Sequence, residues 1–212
     1  MTKNVIVLLA AGQSRRMGNT NKLLMPFNNE PLIRYSAKIY TSLPNSRVYV
    51  VLGHQSEKII EVLKNLNVYF IFNDSYKAGQ RSSVFCGLSA SQKAENYLVA
   101  PADLPRLTKN DCQNLIHSHK QKSKGSITIP IFRGQNGMKR GNPIVLSPQA
   151  RETVVSGGIN LGCRGLIERQ PELINSYFTK SEGFFFDIDT PDAYRLETKK
   201  ITNSKSSPQL SI

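Results

Sequence analysis

Tryptophan is absent from this chain, and cysteine and histidine occur three times each. Cys86, Cys112 and Cys163 lie far apart with no CxxC pair, which leaves nothing to build a disulfide framework or a Cys-rich zinc site from. Reduced thiols in a cytoplasmic protein are the expectation. Cys86 and Cys112 fall on helix faces predicted to be buried, where a thiol is inert. His54, His117 and His119 match no metal-ligand spacing and read as surface or packing residues. Long apolar runs are also missing. The opening MTKNVIVLLAAG carries a run too short for a secretion signal, with no cleavage site, and no later run could span a bilayer. Acidic residues are scarce: 15 Asp and Glu against 28 Lys and Arg leave a formal net charge of +13. Such an excess favours polyanionic partners. The cations are scattered rather than blocked together, which argues against a nucleic-acid-binding arm, and neither nucleic acid nor membrane is an expected partner.

What is present is ordinary globular composition, 39% hydrophobic over 212 residues, enough for a full α/β core. β-Branched runs at 5–10, 47–52, 68–73, 97–100, 126–131 and 143–146 are predicted strands. Between the early ones, Leu32, Tyr35, Ile39 and Tyr40 share a helical face, as do Ile59, Ile60, Leu63 and Leu66, and Cys112, Leu115 and His119. Strands this apolar, alternating with helices, predict a mainly parallel central sheet with helices on both faces. After Gly125 glycines cluster and strands come closer, which predicts a mixed sheet edge or a subdomain over the site. One domain is expected over residues 1–200, with the polar, Ser-rich residues 201–212 fraying.

In an open α/β sheet, ligands sit beyond the carboxyl ends of the strands. There the chain reads LLAAGQSRRMG over residues 8–18. Ala11 and Gly12 let backbone approach a phosphate, while Arg15, Arg16 and Lys22 add cations. The spacing is neither GxxxxGK[ST] nor GxGxxG, and on the residues alone a tight turn with solvated arginines stays open. GQRSS at 79–83 enters a helical stretch predicted over 82–91, suited to an anion or base, or to an ordinary N-cap. PADLP at 101–105 holds Asp103 between prolines at a strand end, a rigid oxygen ligand suited to Mg²⁺, or a turn residue. In FDIDTP at 186–191, Asp187 and Asp189 alternate along an extended segment and share a face, unless this is a surface acidic strand end. Thr190 and Pro191 then read as the cap and first turn of a helix.

Together these segments resemble a family. LAAGQSRRMG followed by NKLL is similar to the LAAGxSxRMGxxKLL signature of MobA-like nucleotidyltransferases, which move an NMP from an NTP onto a phosphorylated acceptor. Within them the chain most resembles the molybdenum cofactor cytidylyltransferase branch, with matches from Leu8 to Asp192. The resemblance implies a Rossmann-like nucleotidyltransferase fold. By position it implies that Leu9, Ala10, Ala11 and Gly12 cradle the nucleotide and that Arg16 and Lys22 hold its phosphates, with Arg15 in the variable slot. Gly79, Gln80, Ser82 and Ser83 match a GQxxS segment that contacts base and ribose. Asp103 matches the metal-binding Asp of GDxP, with Ala102 replacing Gly. FDIDTP resembles the DIDTPED closure that completes the metal site, with Asp187 the first choice of ligand and Asp189 the second.

Arg140, Asn142 and Pro143, in RGNPIVL, match an acceptor-side segment of that branch. Gly162-Cys163-Arg164 is similar to GDxGAR and implies that Arg164 meets acceptor phosphate. Asn160 stands where that motif has Asp, so no role is carried over to it. The implied reaction is Mg²⁺-dependent transfer of CMP from CTP, or GMP from GTP, to the terminal phosphate of a molybdopterin-type cofactor. Arg16, Lys22 and Asp103 would be catalytic, and a molybdoenzyme or its insertion chaperone would be a further partner. A sugar phosphate or another alcohol phosphate as acceptor is the competing reading, as is a non-catalytic cofactor-delivery protein. Retention of Arg16, Lys22, Asp103 and Asp187 together favours a working enzyme.

Overall fold

The computed structural model describes residues 2–18, 20–121, 126–135 and 137–206. β1 (Asn4–Leu9) leads through two 3-10 turns, Arg15–Met17 and Lys22–Leu24, to a small hairpin of β2 (Pro26–Phe27) and β3 (Glu30–Pro31), then to α1 (Leu32–Thr41). Next come β4 (Ser46–Leu52), α2 (Ser56–Leu63), β5 (Val68–Phe72), α3 (Gln80–Ala90), β6 (Asn96–Pro101) and α4 (Lys109–Lys120). β7 (Ile127–Gly134) and β8 (Gly137–Arg140) form a hairpin ahead of β9 (Ile144–Leu146). The chain continues through α5 (Pro148–Ser156), α6 (Gly158–Arg169), β10 (Ile174–Phe178) and α7 (Pro191–Ser206).

The main sheet has the order β10-β7-β9-β6-β1-β4-β5, with β8 pairing β7. β5, β4, β1 and β6 are mutually parallel, whereas β9 runs antiparallel to both β6 and β7. The parallel sheet and its mixed C-terminal edge are both as expected. The chain works outward from β1 through β4 to β5 and then returns to lay β6 on the other side of β1. That reversal opens a crevice at the carboxyl ends of β1 and β6.

Both faces of the sheet are buried, and strand alternation divides them. Ile6, Leu8, Val48, Val50, Leu52, Leu98 and Ala100 pack with α1, α2 and α4. Val5, Val7, Tyr49, Val51, Tyr97 and Val99 pack with α3, α5 and α6. α3 comes unusually near: a Cβ on Gly87 would lie 2.3 Å from Cγ1 of Val7 and 2.7 Å from Cγ2 of Val51. α4 is started by a capping box in which the Thr108 hydroxyl accepts from the Asp111 amide and the Asp111 carboxylate accepts from the Thr108 amide.

The sequence misses several elements. α5, α6 and β10 were not expected, and α5 and α6 form part of the helical layer beside α3. Glycines 157, 158, 162 and 165 hide the helical period, and Gly162 at φ 57°, ψ 175° breaks α6 within its length. α3 begins at Gln80, two residues before the predicted start. α7 extends to Ser206, so the tail expected from 201 begins within its last turns, and 207–212 lie outside the described residues. Cys112 is fully buried in α4, but Cys86 is only half-buried, its thiol donating to the Phe72 carbonyl. Among the described residues, no helix is long and apolar enough to cross a membrane.

Candidate active site

A cavity of about 640 Å³ opens where the fold leaves its crevice, a size suited to a small-molecule ligand. Its first wall is the loop after β1. The Ala10 amide donates to the Val51 carbonyl and the His54 amide to the Ala11 carbonyl, so the loop is pinned against the end of β4. Leu9, Ala11, Gly12, Arg15 and Arg16 line the cavity, while Ala10 is fully buried behind them. Lys22 opens a 3-10 turn capped by Asn21, whose side-chain oxygen accepts from the Leu23 amide, and the Lys22 amide donates to the Ser14 hydroxyl.

The second wall is the segment between β5 and α3. Gly79, at φ 102°, turns the chain into α3 in a conformation that side chains rarely adopt. Asn73, just past β5, holds this turn from inside. Its Nδ2 donates to the hydroxyls of Ser82 at 2.9 Å and Ser83 at 3.0 Å, and its Oδ1 accepts from the Ser75 amide. Gly79, Gln80 and Ser83 line the cavity. Ser82 does not: it is 1% exposed and its hydroxyl donates back to the carbonyls of Ser75 and Gly79.

Three carboxylates close the site. Asp103 follows β6, where Ser36 donates to the Ala102 carbonyl, and the Ile188 amide donates to the Asp103 carbonyl. That last bond holds the segment of Asp187 and Asp189 beside Asp103. One oxygen from each of the three carboxylates lies within 4.8 Å of the others. Lys22 Nζ sits between two of them, bonded to Asp103 and to Asp189 Oδ1 at 2.7 Å, and Arg16 pairs with Asp189 at 2.7 Å. The segment is not a strand of the sheet: burial of Ile188 and its backbone bond to Asp103 hold it in place.

The electrostatics separate the two neighbours. Burial, reinforced by the nearby Asp189, raises the Asp187 pKa above the ordinary carboxylate value. For Asp189 burial pushes the same way, but hydrogen bonding and attraction from Lys22 outweigh it and lower its pKa. Lys22 is pulled down by burial and pushed up more strongly by Asp103 and Asp189, so it stays an ammonium. Asp103 Oδ1 is buried with no hydrogen-bond partner. An orphaned carboxylate oxygen beside two further carboxylates fits a divalent cation, which takes oxygen ligands and favours deprotonated ones.

Arg140, the last residue of β8, and Asn142, between β8 and β9, join the cavity, whereas Pro143 lies outside the lining. Arg164 is not brought to the site: its 82% exposed side chain pairs with Glu168 one helical turn on. Sequence reasoning missed Gln13, Tyr76, Lys77, Lys139, Phe184 and Phe185 in the lining. Lys139 was findable, since it precedes Arg140 in the matched segment. Lys77 carried only the weak signal of lying two residues before Gly79.

The description "MobA-like NTP transferase domain" matches residues 6–173. A protein of Paenarthrobacter nicotinovorans named nicotine blue oxidoreductase is 29% identical over 90% of this chain and 94% of its own length. The bifunctional protein GlmU of Thermoanaerobacter pseudethanolicus is 29% identical over 59% of this chain, which spans 27% of that relative. Solved structures share the fold. A Mycobacterium sp. strain JC1 homolog of rv0371c superposes with a TM-score of 0.78 at 22% identity, covering 96% of this chain and 98% of that one. Rv0371C of Mycobacterium tuberculosis H37Rv, solved with manganese, gives 0.70 at 16% identity, covering 93% and 99%.

Proposed function

We propose a function from one premise: this chain belongs to the MobA-like NTP transferase family and is a nucleotidyltransferase. It transfers CMP from CTP, with Mg²⁺, to the terminal phosphate of a molybdopterin-type cofactor and releases pyrophosphate. The observation that carries the reading is the convergence of Asp103, Asp187 and Asp189 in a cation-lined cavity at the strand ends. CTP over GTP, and the acceptor, rest on the resemblance of the RGNPIVL segment. Residues 1–200 act as one catalytic domain in the cytoplasm, in keeping with three unpaired cysteines.

An acceptor phosphate is anionic near neutral pH, so its oxygen needs no general base. That oxygen attacks the α-phosphorus in line, the bond to the bridging oxygen breaks, and its electron pair leaves with pyrophosphate. The obstacle is bringing two polyanions together. Arg15, Arg16, Lys22, Lys77, Lys139 and Arg140 line the cavity and oppose that repulsion. Asp103, Asp187 and Asp189 would hold the divalent cation, which would supply charge neutralisation for the phosphates. Lys22 and Arg16 stabilise the charge that builds on the leaving pyrophosphate. Gly79, Gln80 and Ser83 receive base and ribose, while Arg140 and Asn142 serve the acceptor.

The test is pyrophosphate release from CTP and from GTP, each with Mg²⁺ and with molybdopterin or a panel of sugar phosphates. Turnover with CTP and molybdopterin alone supports the reading. Release with sugar phosphates instead overturns the acceptor, and no release with any pair favours a delivery protein. A second reading rests on the oxidoreductase relative, which matches nearly the whole chain. Oxidoreductase turnover of nicotine blue without pyrophosphate release would favour it.

A further inference from the structure

Arg106 lies three residues beyond Asp103 and outside the cavity lining, and neither the motifs nor the mechanism uses it. Its guanidinium nevertheless gathers every segment that carries the carboxylate centre. Nε and Nη2 form a fork on Glu197 of α7, at 2.9 Å and 2.6 Å. Nη1 bonds Glu182, in the turn that precedes Asp187. The guanidinium carbon stands 3.9 Å from the ring centroid of Phe186, the residue before Asp187. Glu197, with 8% of its side chain exposed, is a buried carboxylate whose charge is met by this fork. Leu104, Leu107, Phe184 and Ile188 are buried together around the same junction. A Cβ on Gly183 would lie 2.7 Å from the Arg106 carbonyl, so the turn before Asp187 packs directly on this backbone.

We propose that Arg106 is the positioning residue of the carboxylate centre, holding the Asp103 loop at a set separation from the segment of Asp187 and Asp189. The inference rests on the reading of those carboxylates as a metal site. At the ligands the two segments are joined by one backbone bond, Ile188 to Asp103, and by the Lys22 ammonium that bridges Asp103 and Asp189. Among the described residues there is no such tie behind them apart from Arg106 and its packing. An octahedral cation tolerates little drift in ligand separation, so a second tie behind the site matters to it. Arg is suited to this place because its planar fork grips one carboxylate bidentately and still stacks on an aromatic face. Lysine offers neither geometry.

The experiment is Mn²⁺ binding to the purified protein, followed by electron paramagnetic resonance without nucleotide, for wild type and Arg106→Ala. Alongside it, the Mg²⁺ requirement of pyrophosphate release and the CTP KM at saturating Mg²⁺ are measured. The expected result is a tenfold or greater rise in the Mn²⁺ half-saturation and in the Mg²⁺ requirement, with the CTP KM within twofold. Equal Mn²⁺ half-saturation in both proteins overturns the inference while leaving the metal site standing. A CTP KM that rises as much as the metal requirement overturns it too, because that marks general loosening. Absence of Mn²⁺ binding by wild type overturns the metal reading and this inference with it. Should Arg106→Ala fail to fold, Arg106→Lys is judged by the same criteria.

Discussion

Lys22 holds its ammonium between Asp103 and Asp189 with 14% of its side chain exposed. The same charge is the one best placed to meet phosphate entering the cavity. Lys22→Ala should therefore lower kcat by about 10²–10³, the loss typical of one preorganised charge-stabilising donor. Turnover within a factor of two of wild type would remove it from the mechanism. The carboxylates divide by their partners. Asp189 accepts from both Lys22 and Arg16, whereas neither cation bonds Asp187. Asp187→Asn should raise the Mg²⁺ requirement with little change in the CTP KM. Asp189→Asn should raise the CTP KM as well, since it frees the two phosphate-binding cations from their anchor. Parallel titrations of metal and CTP check this, and identical profiles for the two variants would contradict it.

At the scale of elements, the site depends on how closely helices approach the sheet. α3 carries Gln80 and Ser83 to the cavity only because Gly87 lets it lie against Val7 and Val51. Gly87→Ala should destabilise the protein by about 1–3 kcal/mol through overpacking, despite the better helix propensity of alanine. A thermal melt at or above the wild-type Tm would refute that close approach. The capping box of α4 sits on the surface, and Thr108→Ala should lose about 1 kcal/mol without touching turnover. Denaturant titration of both variants ranks the two effects.

Across the whole molecule, one buried base links helical layer and sheet edge. His119 of α4 is 5% exposed, and its Nδ1 lies 2.7 Å from the Thr128 hydroxyl of β7, which also accepts from Asn175 of β10 at 2.9 Å. Burial pushes the imidazole pKa down from 6.5 to about 4. Between those values the unfolded chain binds a proton that the native state refuses. Stability therefore falls as pH drops through this window, by up to about 3 kcal/mol at its lower end. Urea unfolding at pH 7 and pH 4.5 should show a steeper loss for wild type than for His119→Gln. Equal losses would mean that the imidazole takes up its proton in the folded state.

Much of the fold follows from local pattern. The apolar runs of β1, β4 and β6 admit only strands buried on both faces, and alternation with helices then dictates a parallel sheet. The loop after β1, GQRSS, Asp103 and the Asp187–Asp189 pair were legible because each lies where an element ends, and chain order marks such ends. What the sequence left open depends on where segments distant in the chain meet. Ser82 looks like a ligand-facing hydroxyl until Asn73 turns it inward. Arg164 matches a motif, yet the break in α6 leaves it facing solvent with Glu168. Arg106 has no signature at all, since its partners Glu182, Phe186 and Glu197 lie more than 70 residues further on. Periodicity and end signals are properties of neighbours along the chain, so the sequence determined the layers and the place of the site. Which side chains face into that site, and what holds the carboxylates together, were decided by burial and charge pairing between segments that only the tertiary structure brings into contact.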